Sequence, residues 1–315
     1  MNDRQIIGLG SLLILACALG ACGDKPEEES RTKRDKPLVL TTFFPVHYLT
    51  QEIAKGAVDV VCPLPAGSDP ITWTPGDEEI AQYRDADLIV SNGAEFEKWM
   101  GNVSLPESRV IRSADPLEDD LIYFEAGGSH SHGSGDSHSH VGKDGHTWVD
   151  LENARIQART ILEGLLVLLP KKSDELRRNH LVLDGRLAAL GKKFQELGKA
   201  QGKTPILASH PAYNYLARRI GLNMVNLDLD PESLLDDGAL KTVEAALKDH
   251  PAKSILWESE PIAAVAEQLK KQFGLTSFVF SPCEDPGLTD PKNRGDFLAI
   301  MATNLQNLGE ALAKP

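Results

Sequence analysis

The side chains of this chain best suited to holding a transition metal are imidazoles and carboxylates, and they recur at one kind of place. His210 follows a short apolar run, Pro205 to Ala208, and Glu258 follows another, Ser254 to Trp257. Cys62 and then Asp69-Pro70-Ile71-Thr72-Trp73 follow the run that begins at Val58, and Cys283, Glu284 and Asp285 follow Ser277 to Phe280. His146 stands just before an amphipathic stretch that starts at Asp150. Imidazole with carboxylate suits zinc or manganese, whereas imidazole with thiolate favours zinc or copper. His130, His132, His138 and His140 crowd the segment Glu125 to Gly145 among Gly, Ser and Asp136. That composition predicts a disordered loop that scavenges metal weakly, since ordering a flexible chain costs backbone entropy.

The elements that position these residues alternate. Leu38 to Thr41, Val58 to Leu64 and Asp87 to Ser91 read as strands, with helices at Pro45 to Lys55 and Asp77 to Arg84. In the second half the strands are Pro205 to Ala208, Leu222 to Leu227, Ser254 to Trp257 and Ser277 to Phe280. The helices there are Pro211 to Arg219, Gly238 to Asp249, Pro261 to Gln272 and Arg294 to Ala313. Strands separated by helices imply parallel pairing. Between the halves, Asp150 to Leu169 and Ser173 to Ala200 carry apolar residues at helical spacing. The expectation is an α/β protein of two lobes, each with a mostly parallel sheet flanked by helices, bridged by a long helix. The boundaries are 37–149 for the first lobe with its His-rich loop 125–145, 150–201 for the bridging helices and 202–315 for the second lobe. Ligands of open α/β sheets bind beyond the carboxyl ends of the strands, where the candidates above gather.

Ile6 to Leu19 is apolar, too short to span a bilayer comfortably, and ends in Leu19-Gly20-Ala21-Cys22. It reads as a signal peptide over 1–21, with Cys22 as a lipidated first residue. Residues 22–36 are charged and nearly free of apolar side chains, a disordered tether that holds a soluble body at a membrane through its lipid alone. The net charge of −13 over 315 residues excludes nucleic acid and a polybasic membrane patch.

Each candidate has a plainer reading. Asp69 could cap a turn at Pro70 or serve as a ligand. Glu258 could bind metal or orient a ligating histidine. Cys62 and Cys283, one per lobe, could form a disulfide or thiolate pair or be unrelated buried thiols. His47 reads as a surface or packing residue, His180 and His250 as solvated, and Trp73 and Trp148 as walls of the site.

Thr41-Thr42-Phe43-Phe44-Pro45, Ala86 to Gly93 with Glu95-Phe96-Glu97-Lys98-Trp99, His146-Thr147-Trp148-Val149-Asp150 and Ser209 to Ala217 together resemble the zinc- and manganese-binding solute-binding proteins of bacterial ABC importers. The resemblance runs from about Leu38 to the C-terminus. It implies metal-binding roles for His146 and His210, and a His-rich loop before the first of them is characteristic of zinc members. Two positions depart from the pattern. Ile71 stands where Asp-Pro-His would supply a ligand, and no carboxylate stands at Ser281-Pro282. The expected function is extracytoplasmic capture of zinc, with manganese as the other candidate, by a monomeric lipoprotein that delivers the ion to an ABC import permease. It is not expected to be an enzyme. The alternatives are a lipoprotein of the same fold turned to adhesion or another ligand and, further off, a zinc hydrolase using Glu258. No His-Glu-x-x-His, P-loop or Gly-x-Ser-x-Gly supports the latter.

Overall fold

A computed structural model describes residues 34–124, 142–284 and 295–314, with the backbone alone of 129–131 and 137–139. The signal peptide, most of the tether, Cys22, His132, His140 and Asp285 lie outside the described residues, as do the side chains of His130 and His138.

The first sheet holds β1 (Leu38–Thr41), β2 (Asp59–Val61), β3 (Leu88–Ser91) and β4 (Val110–Arg112), all parallel in the order β2-β1-β3-β4. β1 and β3 are central and almost wholly buried, so they read as continuous apolar runs. β4 is a strand that the sequence does not announce: it is three residues long, half-buried and at the sheet edge. Helices α1 (Phe44–Ala54) and α2 (Asp77–Asp85) make crossovers between these strands.

The His-rich segment departs from the disordered loop expected. Its base is the antiparallel ladder of β5 (Tyr123–Phe124) with β8 (Gly142–Lys143). Beyond it β6 (Ser129–Ser131) pairs with β7 (Ser137–Ser139), with His130 opposite His138. Ser-His-Ser repeated on either side of Gly133 and Gly135 is period-two alternation around turn residues, the pattern of a hairpin.

Helix α3 (Leu151–Leu168) starts at Asp150, whose side chain accepts from the Glu152 N–H, and α4 (Ser173–Gln201) follows. At about 1.5 Å per residue α4 is about 44 Å long. The second sheet has β9 (Pro205–Ala208), β10 (Asn223–Asn226), β11 (Ser254–Trp257) and β12 (Thr276–Val279), parallel in the order β10-β9-β11-β12. It is flanked by α5 (Asn214–Ile220), α6 (Asp237–Asp249), α7 (Ala263–Phe273) and α8 (Phe297–Leu312). Each sheet has its own satellite core, but one large apolar cluster is common to both. It runs from Val39 and Phe43 through Ala154 and Ile161 of α3 and Leu187 and Phe194 of α4 to Ile206, Phe280 and Met301. No helix among the described residues is long and apolar enough to cross a membrane.

A partly exposed ion pair braces α3 on α4. Arg155 donates from Nε and one terminal nitrogen to the two Asp184 oxygens, at 2.7 and 2.9 Å. Those bonds hold the Asp184 carboxyl below its ordinary value. A depressed folded-state pKa stabilises above the unfolded value, about 3.9, and the contribution fades as pH falls through the folded one. Asp184→Asn is therefore expected to cost about 1 kcal/mol at pH 7 and less at pH 3 in urea melts. Equal costs at both pH values would refute the charge argument.

Candidate metal site

The site is built where the carboxyl ends of both sheets face α3. His146 is buried. Asp144, fully buried two residues earlier, takes both its backbone N–H at 3.0 Å and its Nδ1 at 2.8 Å on one carboxylate oxygen. A carboxylate on Nδ1 fixes the ring and leaves Nε2 as the outward nitrogen. Nε2 lies 3.0 Å from Glu284 Oε1. The His210 ring stands 5.6 Å from that of His146, nearly perpendicular to it, with Nδ1 4.0 Å from Glu258 Oε2.

Burial works against charge on His146, but Asp144 and Glu284 outweigh it and push the imidazole up to about 10. Burial, with Asp69 and Glu258 nearby, raises the Glu284 carboxyl, and His146 pulls it back. Two imidazoles and two carboxylates thus meet in a space with little water to screen them.

The backbone explains how they arrive. Asn92 holds the approach to His146. Its Nδ2 donates to the Gly145 carbonyl at 2.9 Å, and its Oδ1 accepts from Thr147 and from Gln157 of α3. Residue 145 must be glycine, since a Cβ there would fall 2.8 Å from Phe96 Cβ. Phe43, Phe96 and Trp148 form the aromatic wall beside the His146 ring. Below β12, Asn304 of α8 clamps Ser281 at both its N–H (3.0 Å) and its carbonyl (2.7 Å). Trp148 Nε1 donates to the Pro282 carbonyl at 2.6 Å. Cys283 then adopts φ 66°, left-handed backbone that a non-glycine residue rarely takes. This reversal aims Glu284 back at His146.

The other candidates sort differently. Asp69 Oδ1 accepts from the Ile71 N–H at 2.8 Å and Oδ2 from the Thr72 hydroxyl at 3.1 Å, so both oxygens serve the turn. Ile71, at the position of the missing family histidine, is buried in the apolar core. Cys62 and Cys283 are not joined by a disulfide in this structure. Cys62 lies near Tyr83 in the first lobe, while Cys283 is fully buried and burial pushes its thiol up, away from the thiolate a metal needs. Trp148 is a wall of the site, whereas Trp73 packs on Trp99 in a separate cluster. His47 Nδ1 meets the Thr41 hydroxyl at 3.0 Å. His250 is buried rather than solvated, its Nε2 3.0 Å from the Ile206 carbonyl oxygen, and His180 is half-buried.

Two residues that the structure sets against His146 were not chosen as its partners from the sequence. Asp144 falls inside the segment that composition marked as loop, although Asp-x-His is a visible carboxylate–imidazole spacing. Glu284 stood among the strand-end candidates, but the carboxylate was sought at Ser281-Pro282; it comes two residues later, through the turn at Cys283. The side chains as placed do not close round an ion: among the described residues no three His, Cys, Asp or Glu side chains stand at ligand spacing. Glu284 faces His146 Nε2, and Glu258 stands back from His210. Binding would exchange one charge contact for another, the ion taking the place between imidazole and carboxylate.

Comparison with known proteins gives a consistent answer. Residues 39–311 match the family model described as ZnuA, zinc-uptake complex component A, periplasmic. The chain is 27% identical over 309 residues to the high-affinity zinc uptake system protein ZnuA of Bacillus subtilis, covering 96% of this chain and 97% of that one. It is 26% identical over 305 residues to the zinc-binding lipoprotein AdcA of Streptococcus pneumoniae, covering 94% of this chain but 59% of AdcA. Among solved structures, the metal-dependent lipoprotein YcdH of Bacillus subtilis superposes with a TM-score of 0.75 at 24% identity, over 88% of this chain and 99% of that one.

Proposed function

The chain belongs to the ZnuA family of zinc-uptake components, and from that premise we propose that it captures zinc(II) outside the cytoplasm between His146, His210, Glu258 and Glu284. One observation carries the assignment of the site: two buried imidazoles 5.6 Å apart between the sheets, one of them already facing a largely buried carboxylate. Two nitrogens and two oxygens make a donor set that zinc accepts in tetrahedral geometry. Asp144 holds His146 with Nε2 as donor, and Glu284 turns from countering the imidazolium to countering the metal. Asp69 is left out of the ligand set because both its oxygens serve its turn, and it acts on the site through its charge beside Glu284.

The ion is cargo, so no reaction is assigned. The partner is the membrane permease of an ABC importer, to which the protein presents zinc as a monomer, tethered by a lipid on Cys22. His130, His132, His138 and His140 serve as a weak auxiliary collector ahead of the cleft.

Isothermal titration of zinc and manganese into chelator-stripped protein, intact and with Ser129 to His140 deleted, tests this. One tight zinc site, preferred over manganese and surviving the deletion, is the expected result. Binding that disappears with the hairpin would locate all metal capture there, and the cleft would need another ligand.

A further inference from the structure

Behind the two histidines lies a half-buried amide that touches both of the arms carrying them. Asn214, the first residue of α5, donates from Nδ2 to Asp144 Oδ2 at 3.0 Å and to the Pro211 carbonyl at 2.9 Å. Asp144 is the residue that holds His146, and Pro211 directly follows His210. The amide orientation matters, because a flipped Asn214 would point its oxygen at the Asp144 carboxylate. Asn226, at the end of β10, prevents the flip by donating from its own Nδ2 to Asn214 Oδ1 at 2.7 Å. The cost is visible at the far end: Asn226 Oδ1 is buried with no hydrogen-bond partner among the described residues. A buried unsatisfied amide oxygen is destabilising, so this asparagine is poorly explained by packing alone.

We infer that Asn214, locked by Asn226, is a positioning residue that fixes the separation of the two zinc-binding histidines and so sets zinc affinity. The inference rests on the metal-site reading above. Asn214 hydrogen-bonds to both the Asp144–His146 arm from the first lobe and the His210–Pro211 arm from the second, and Tyr215 beside it adds a bond to the first arm, its hydroxyl donating to the Asp144 carbonyl at 2.7 Å. Neither asparagine is needed as a ligand; they act by removing the freedom of the groups that are. Losses in metal affinity of about 10- to 100-fold are typical when an outer partner of a ligating histidine is removed.

The test is a double-substitution cycle with Asn214→Ala and Asn226→Leu. It is read by zinc Kd from chelator competition, by the visible spectrum of the cobalt(II)-loaded protein, and by the melting temperature without metal. Asn214→Ala is expected to weaken zinc about tenfold and to change the cobalt spectrum. Asn226→Leu is expected to weaken zinc by about three- to tenfold, and by less than about twofold when Asn214 is already alanine. A lowered metal-free melting temperature with zinc Kd and cobalt spectrum unchanged would show a packing role and overturn the inference. Fully additive effects on Kd would overturn the lock by Asn226. If the unsubstituted protein binds no zinc in the cleft, the metal-site reading fails and takes this inference with it. Normal binding by that protein with unaffected variants removes the inference alone.

Discussion

Changing both His146 and His210 to alanine is expected to weaken zinc binding by about 10⁴-fold or more. A complete four-ligand structural zinc site is worth about 10–16 kcal/mol, so two of four donors account for several kcal/mol, at about 1.4 kcal/mol per tenfold. The two single substitutions should differ in what they do without metal. His146 is buried between Asp144 and Glu284, both within hydrogen-bonding distance. Its removal strands the fully buried Asp144 carboxylate and leaves the partly exposed Glu284 without its partner, and breaking a buried pair from one side costs about 3–5 kcal/mol. His210 stands 4.0 Å from a partly exposed Glu258, so its loss should disturb the metal-free protein far less. Chemical unfolding of the stripped single variants, beside zinc titration, checks both statements. Equal destabilisation by the two would mean that the charges around His146 do not set its energetics.

The second large effect lies away from the site. A Cβ on Gly198 of α4 would fall 2.2 Å from the Ile220 carbonyl oxygen and 2.7 Å from Ile220 Cβ. The first of these is backbone and cannot swing aside, so α4 and the end of α5 would have to separate. Gly198→Ala gains about 1 kcal/mol of helix propensity, while overpacking of this severity costs more than the usual 1–3 kcal/mol. The net expectation is a loss of about 3 kcal/mol, or a melting temperature lower by roughly 6–10 °C for a domain of this size. Because Asn214 opens the displaced α5, zinc affinity should fall with it. A Gly198→Ala protein as stable as the parent would show that the approach of α4 to Ile220 is looser than described. The sequence around Gly198 gives no sign of this contact, which arises only when the chain returns through β9 and packs the end of α5, the next helix, against α4.

Much of the architecture was legible because its signals are local. β1, β3, β9 and β11 are compact apolar runs bounded by polar residues, and α3 and α4 carry their buried leucines at helical intervals. β4 escaped because three half-buried residues at a sheet edge need no strong pattern; the neighbouring strand supplies the pairing. His250 was read as solvated from its polar neighbours, yet the Ile206 carbonyl across the fold gives it a buried partner. At the site, the histidines could be placed by motif and strand-end position. Glu284 could not be aimed, because its direction depends on left-handed backbone at Cys283, a residue type that does not announce one. Asp144 was hidden by its composition: a stretch of Gly, Ser and His masks a carboxylate whose role comes only from what lies opposite it.

The apolar cluster that runs from β1 through α3 and α4 to the second sheet bears on how a carrier of this build unloads. Fully exposing a large aliphatic or aromatic side chain costs about 1.5–3 kcal/mol, so parting half a dozen of them would consume most of a typical domain's stability. Gaping like a clam is therefore closed to this molecule, and its full and empty forms share nearly one outline. A membrane partner that must tell them apart has to read the mouth of the proposed site, where Glu258 now stands back from His210. Release then becomes a matter of coordination chemistry. With the site proposed above, the pace of delivery follows the rate at which imidazole and carboxylate donors give up the ion rather than the swing of two halves.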